Sequence, residues 1–278
     1  MRTDYLLLRL IRHFLPESMA RFLLRQRLII KPGLESSDPE AAVQRYLTVL
    51  SEHNRALEGQ RVLVFGYGGR FAVGVELLNR GAAHVILCDR IKSLDNNRNL
   101  ELIYHHGKYL VEENGVVNPR AEFITLVHGD IREPSIQKAV PETDIVVSTS
   151  VFEHLEDVPV ITKALAELTE SEGFHLHFID LRDHFFKYPF EMLTFSDLTW
   201  KYLLNPSSNL NRMRVYDYQN HFHKYFKAVK IKILEKDPLL FEQMRKRIRP
   251  EFIHGELEFD STLQIQLTAE HPIRLDIQ

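Results

Sequence analysis

Gly66-Tyr67-Gly68 stands at the end of an apolar, β-branched run, Val62 to Phe65, and Asp89 stands at the end of the next such run, Val85 to Cys88. Glycine takes backbone angles that side chains forbid and lets a ligand approach the main chain. A carboxylate at the end of the following strand suits a ribose diol, because it can accept from both hydroxyls. Together they predict a nucleoside-containing cofactor. Two further polar stretches follow later apolar runs: His128-Gly129-Asp130-Ile131, and Ser148-Thr149-Ser150-Val151-Phe152-Glu153-His154. His154 and, further on, His184 offer imidazoles that can move a proton near neutral pH.

The elements that must position these groups alternate in type. Strand patterns fall at residues 61–65, 84–88, 123–127, 144–149 and 174–179, with helical patterns at 71–80, about 94–113 and 158–169. Such alternation predicts an α/β fold: a Rossmann-like, doubly wound, mostly parallel sheet with helices on both faces and ligands at the strands' C-terminal ends. Residues 228–235 and 262–268 alternate apolar and polar, as a late strand pair does. Between the fifth strand and this pair, residues 181–225 are rich in aromatics (His184, Phe185, Phe186, Tyr188, Trp200, Tyr216) and carry no clear strand, which suits a substrate lid. The expected organisation is an N-terminal helical segment, 1–56, and a main domain, 57–278, with 181–225 inserted.

Residues 1–33 carry seven basic and two acidic residues. Leu6, Leu7, Leu10, Ile11 and Phe14 share one helical face, and a second helical stretch after Pro16 sets Met19, Phe22 and Leu23 on one side. This pattern fits helices docked on the main domain, a cover for the pocket mouth, or peripheral contact with an anionic membrane. Asp38-Pro39 predicts a helix start, with Asp38 as N-cap and Pro39 in the first turn. The basic run Arg245-Lys246-Arg247-Ile248-Arg249 is expected on a solvated helix face.

Composition narrows the function classes. The 278 residues, 44% hydrophobic and 26% charged, suit an ordinary globular protein. A net charge of −3 gives no reason to expect nucleic-acid binding. Cys88 is the only cysteine, which excludes an intrachain disulfide and a cysteine zinc site, and fits a reducing, cytoplasmic compartment. No apolar run reaches the roughly 20 residues that span a bilayer.

A dinucleotide site asks for a third glycine, G-x-G-x-x-G, where this chain has Phe71. S-adenosylmethionine carries no phosphate and needs no pyrophosphate cradle. With the three motifs in order, each after a strand, the chain resembles the class I S-adenosylmethionine-dependent methyltransferases of the broad small-molecule type, over about residues 45–180. The resemblance implies a seven-stranded sheet ending in a hairpin with one antiparallel strand. It implies S-adenosylmethionine as cofactor, with Gly66, Tyr67 and Gly68 around its methionine part and Asp89, with Arg90 beside it, on its ribose. Gly129, Asp130 and Ile131 would border the adenine, and Ser148 and Thr149 would lie near the sulfonium. Two positions depart from the family pattern: Val64 replaces an acid, and Arg70 replaces the third glycine.

Methyl transfer from a sulfonium is an in-line displacement, so the protein must chiefly orient a nucleophile about 3–3.5 Å from the methyl carbon. His154 and His184 are the candidate bases for an O-methylation of a small molecule. His175 with His177, and His221 with His223 if extended, could pair on a metal, but no third ligand has convincing spacing, so no metal is expected. Tyr104 and Lys108 match a dehydrogenase spacing but stand too early in the strand order. The alternatives are a non-catalytic binding or membrane-surface subunit, for which Val64 and Arg70 speak, and an NAD-dependent oxidoreductase, which Asp89 permits.

Overall fold

The computed structural model describes residues 3–14, 34–90, 94–184, 187–205 and 210–274. The stretch after Pro16 with Met19, Phe22 and Leu23, and the aromatics Phe185 and Phe186, lie outside the described residues.

Five strands form the parallel part of a seven-stranded sheet: β1 (Arg61–Phe65), β2 (His84–Asp89), β5 (Ile124–His128), β6 (Thr143–Thr149) and β7 (Thr169–Asp180). A late hairpin-like pair, β8 (Phe226–Lys236) and β9 (Thr262–Pro272), completes it in the order β5-β2-β1-β6-β7-β9-β8. β9 runs antiparallel to both neighbours and is the one reversed strand of that sheet. This is the expected Rossmann-like methyltransferase topology. Val62, Leu63 and Val64 are buried on alternating faces, which is why β1 reads as an unbroken apolar run. The chain reverses its winding between β2–β1 and β1–β6, and open α/β sheets bind ligands at that switch point.

Helix α1 (Thr3–Phe14) comes first, then α2 (Leu34–Ser37) and α3 (Pro39–Glu52). The Asp38 carboxylate accepts from Ala41 N at 3.0 Å and Pro39 fills the first turn, as the sequence predicts. Helices α4 (Ala72–Asn79), α5 (Asn96–His106), α6 (Pro134–Ala139) and α7 (Val158–Glu167) connect the parallel strands, and α8 (Val215–His223) and α9 (Pro238–Met244) flank β8. Two apolar clusters, one on each face of the sheet, form the main core.

Three expectations need correction. The helix expected to reach residue 113 ends at His106, and a two-stranded hairpin follows, β3 (Leu110–Glu113) and β4 (Val116–Pro119). Its turn is Asn114-Gly115, with φ of 53° and 78°, and that dipeptide is the sequence signal for a tight hairpin. Much of the apolar stripe of α1 is not docked: Leu6 packs inward beside the buried Tyr5 and Arg9, while Leu7 and Ile11 are 60% and 52% exposed. The docked face is partly polar because it meets Asp183, which accepts from the Tyr5 hydroxyl and from Arg9. The run 245–249 follows α9 rather than lying along a solvated helix: Ile248 is buried, and Arg247 pairs with the buried Glu191. His221 and His223 lie on the helix α8, so the extended geometry on which their pairing was conditional is not met.

The described residues among 181–184, 187–196 and 210–214 have little regular structure, so their carbonyls need other partners. Two buried arginines supply them. Arg214 donates to Leu181 O and Asp260 O, both at 3.0 Å, and Arg212 donates to Met192 O and Phe195 O at 3.0 and 2.7 Å. Around them Tyr188, Phe190, Met192, Phe195, Trp200 and Phe241 build a third apolar cluster, and Tyr5 of α1 belongs to it.

His175 and His177 are core residues, buried completely. The Thr169 hydroxyl donates to Leu165 O at 2.7 Å, so it accepts from His175 Nε2 at 2.8 Å. His175 Nδ1 then accepts from His177 Nε2 at 3.2 Å, and His177 Nδ1 accepts from the Ser148 hydroxyl at 2.8 Å. Each imidazole is thereby fixed as one neutral tautomer, and burial pushes the His175 pKa down to about 3. Ser148→Ala leaves His177 Nδ1 buried without a donor. Its expected cost is about 1–3 kcal/mol in urea unfolding; an unchanged unfolding midpoint would refute the tautomer chain.

Candidate functional site

The predicted ligand groups gather at the C-terminal ends of β1, β2, β5 and β6. After Phe65 the backbone turns through Gly66, Gly68 and Gly69, with φ of 81°, 71° and 80°, angles that other residues rarely adopt. Gly66 is also held close: a Cβ there would stand 2.4 Å from the Val151 side chain. At Gly68 a Cβ would meet nothing within 4 Å, so the turn opens on free space. The Asp89 carboxylate accepts from Gly68 N at 3.0 Å, which joins the end of β2 to the open turn.

A buried asparagine that sequence reasoning missed secures the turn from behind. Asn99 of α5 accepts from Phe71 N at 3.0 Å and donates to Gly69 O at 3.1 Å, while Asp95 N also reaches Gly69 O at 2.9 Å. Phe71, at the position of the missing third glycine, is fully buried and stacks on Tyr67 with ring centroids 6.4 Å apart. The side chain thus fills space beneath the turn rather than above it. Arg70 is half-buried.

On the β5 side, Gly129 continues the ladder by donating to Asp89 O at 3.1 Å. Asp130 is engaged by the Arg132 guanidinium through both oxygens and lies 3.3 Å from Arg90, whose own side chain is 58% exposed. Hydrogen bonds from Arg132 hold the Asp130 pKa down, to about 2, so the carboxylate stays an ionised acceptor. Ile131 is buried.

At the end of β6 the two neighbours diverge. The Ser148 hydroxyl turns into the core toward His177. Thr149 comes beside Gly66, because β1 and β6 pair with Val64 opposite Val147. A polar chain surrounds Thr149 that no motif announced. Arg45 donates to Thr149 Oγ1 at 3.3 Å, Tyr46 lies 2.9 Å from the same oxygen, and the Tyr46 hydroxyl donates to Glu35. Burial pushes Glu35 up to about 7, against the pull of Thr149 and Arg45. Arg45 also stacks 3.6 Å over the Phe178 ring. These groups come from α2 and α3, far from the motifs in sequence, so only the folded chain brings them to the turn.

His154 and His184 do meet. His154 closes the short 3-10 turn after β6, His184 follows β7, and their rings lie 4.9 Å apart at 67°. Burial, then the nearby His154, pushes His184 down to about 4, so its ring is neutral near pH 7. Beside them Glu153 is buried, and among the described residues neither of its carboxylate oxygens has a hydrogen-bond partner of ordinary geometry. Desolvation holds its pKa well above the ordinary carboxylate range.

No family model matches the sequence, and no curated protein does. Solved structures do match. One is Haemonchus contortus phosphoethanolamine N-methyltransferase 2, in complex with phosphomonomethylethanolamine and S-adenosylhomocysteine: 14% identical, covering 83% of this chain and 53% of that one, TM-score 0.50. The CurJ carbon methyltransferase is 13% identical, covering 88% and 57%, TM-score 0.49. An S-adenosylmethionine-dependent methyltransferase from Mesorhizobium loti is 15% identical, covering 86% and 100%, TM-score 0.46. The chain thus spans little more than half the length of the first two. What the comparison with the Haemonchus protein shows is the class I methyltransferase fold.

Proposed function

We propose that a chain with this fold, carrying an open glycine turn tied to a strand-end carboxylate, is an S-adenosylmethionine-dependent methyltransferase acting on a small-molecule acceptor by O-methylation. One observation carries the proposal: the Asp89 carboxylate and the unobstructed Gly68 share one lip of the switch-point crevice. The Gly66 to Gly68 turn holds the methionine part, Asp89 the ribose, and Asp130 with Ile131 borders the adenine. When bound, the cofactor supplies an electrophilic methyl group and a neutral thioether leaving group.

The rest falls to the chain's own residues. Val64 is buried and offers no acid beneath the turn. Glu35 and Arg45, linked through Tyr46 and Thr149, stand on the side where an amino-acid tail needs one acceptor and one cation. His184, neutral near pH 7, can take a proton from an acceptor hydroxyl, and His154 shares that position. The irregular stretch within 181–225 closes over the acceptor as a lid. The acceptor recognised is a small molecule.

Calorimetry with S-adenosylmethionine and with its demethylated product tests the proposal, with Asp89→Ala as the control. Saturable heat near one equivalent is the expected outcome. No heat at millimolar ligand would overturn the proposal and favour the non-catalytic reading instead.

A second reading concerns residues 1–33. The exposed Leu7, Leu10 and Ile11 on α1 favour peripheral contact with an anionic lipid surface, although no described helix is long and apolar enough to cross a membrane. Flotation with phosphatidylserine vesicles is expected to fall in a Leu7→Asp/Ile11→Asp variant. Equal flotation of variant and wild type rejects the contact.

A further inference from the structure

We propose that Glu153, His154 and His184 form a binding site for a divalent transition-metal ion at the C-terminal ends of β6 and β7. One ligand atom from each residue lies within 4.8 Å of the other two. Three donors that share one ion at bonds of about 2.0–2.2 Å stand about 3.3–3.8 Å apart. The cluster is therefore within about 1.5 Å of ligating spacing. The His154 and His184 rings already meet edge-on, with centroids 4.9 Å apart at 67°.

The second observation is the carboxylate itself. Glu153 is 3% exposed, and among the described residues no hydrogen bond that meets ordinary geometry reaches either oxygen. A buried carboxylate with no partner is costly, and a cation is one of the few groups that removes the cost. The nearby arginines are committed elsewhere: Arg9 pairs with Asp183, and Arg182 pairs with Asp180 and Glu235. The geometry of the loop also favours a fixed site. Asn211 N donates to Glu153 O at 2.9 Å, and the Asn211 amide donates to Phe152 O and Leu155 O, which pins the turn carrying two of the three ligands.

Two imidazoles and one carboxylate suit zinc, iron(II), cobalt(II) or manganese(II) better than calcium or magnesium, which prefer all-oxygen shells. Three protein ligands leave coordination positions open for water or an acceptor oxygen. Cation binding is independent of cofactor binding, but a histidine nitrogen that ligates the ion cannot also take the acceptor's proton, so with the ion bound it is the ion that activates the hydroxyl. Only the further role, polarising an acceptor hydroxyl beside the methyl donor, rests on the methyl-transfer reading.

The test uses the full chain, freed of metal with a chelator and titrated with cobalt(II), whose visible absorption reports coordination. Zinc(II) is then added in competition. One equivalent is expected to bind, with affinity reduced about tenfold or more in Glu153→Gln and in His154→Gln. Zinc is expected to raise the melting temperature of the wild type but not of His154→Gln. If Glu153→Gln fails to fold, His154→Gln and His184→Gln carry the comparison. Absence of one-equivalent uptake, or equal binding by the histidine variants, overturns the site. S-adenosylmethionine calorimetry on the same samples separates the two proposals, since either can fail alone.

Discussion

Asp89→Ala is expected to weaken S-adenosylmethionine binding by about a hundredfold or more. Two hydrogen bonds from a ribose diol to an ionised carboxylate contribute about 1.5–3 kcal/mol each, and about 1.4 kcal/mol is a tenfold change. The substitution also removes the acceptor of Gly68 N, so the open end of the turn loses its tie to β2, while Gly66 N still donates to Cys88 O at 2.8 Å. The fold itself tolerates the change, because Gly68 is exposed and water can meet its N–H. Asp89→Asn separates the two effects. It keeps an oxygen for Gly68 but loses the charge, and its expected loss is intermediate. Circular dichroism checks the fold and calorimetry the affinity. Wild-type affinity in Asp89→Ala would remove the ribose assignment and with it the placement of the cofactor.

Asp183→Ala is expected to release α1. Arg9 and Asp183 form an ion pair with side chains 1% and 0% exposed, and the Tyr5 hydroxyl donates to the same carboxylate. Removing one partner of a buried pair strands the other charge, at a cost of about 3–5 kcal/mol. The molecule can limit that cost by letting α1 detach, which lets Arg9 reach water. Amide exchange in residues 3–14 should then rise to the rate of an unprotected chain, while the sheet keeps most of its protection. A triple variant, Tyr5→Phe/Arg9→Met/Asp183→Leu, should restore protection, since apolar side chains of similar size often replace a buried polar cluster without loss and no buried hydroxyl is then left without a partner. Unchanged exchange in Asp183→Ala would show that the pair does not hold the helix.

Most of the sheet was legible in the sequence because parallel strands buried on both faces leave unbroken β-branched runs, as in Val62 to Phe65 and Val85 to Cys88. The seventh strand's reversal followed from the resemblance, and the structure bears it out in β9. The β3–β4 hairpin was masked by a long polar stretch compatible with a helix, although Asn114-Gly115 marked it. The docked face of α1 was not legible because apolar periodicity does not reveal a partner surface that sets the buried Asp183 among aromatics, which Tyr5 and Arg9 meet. At the candidate site, the turn and Asp89 are readable because their geometry is local. Asn99, Glu35 and Arg45 are not, since each reaches the turn from a separate helix. The meeting of Glu153 and His154 with His184 was open to inference in principle: they follow β6 and β7, which the sheet sets side by side.

The reversed strand has a consequence for how the chain assembles. β8 touches the rest of the sheet only through β9, and β9 is made after it. During synthesis β8 therefore emerges with no template to add to, and so stays open to pairing with another molecule. Its sequence answers that hazard: Lys227, Lys230, Lys232 and Lys236 space like charges along the strand. Two nascent copies laid edge to edge would repel, while β9, with uncharged Thr262 to Ala269 along most of its length, meets no such barrier when it arrives to sit between β7 and β8.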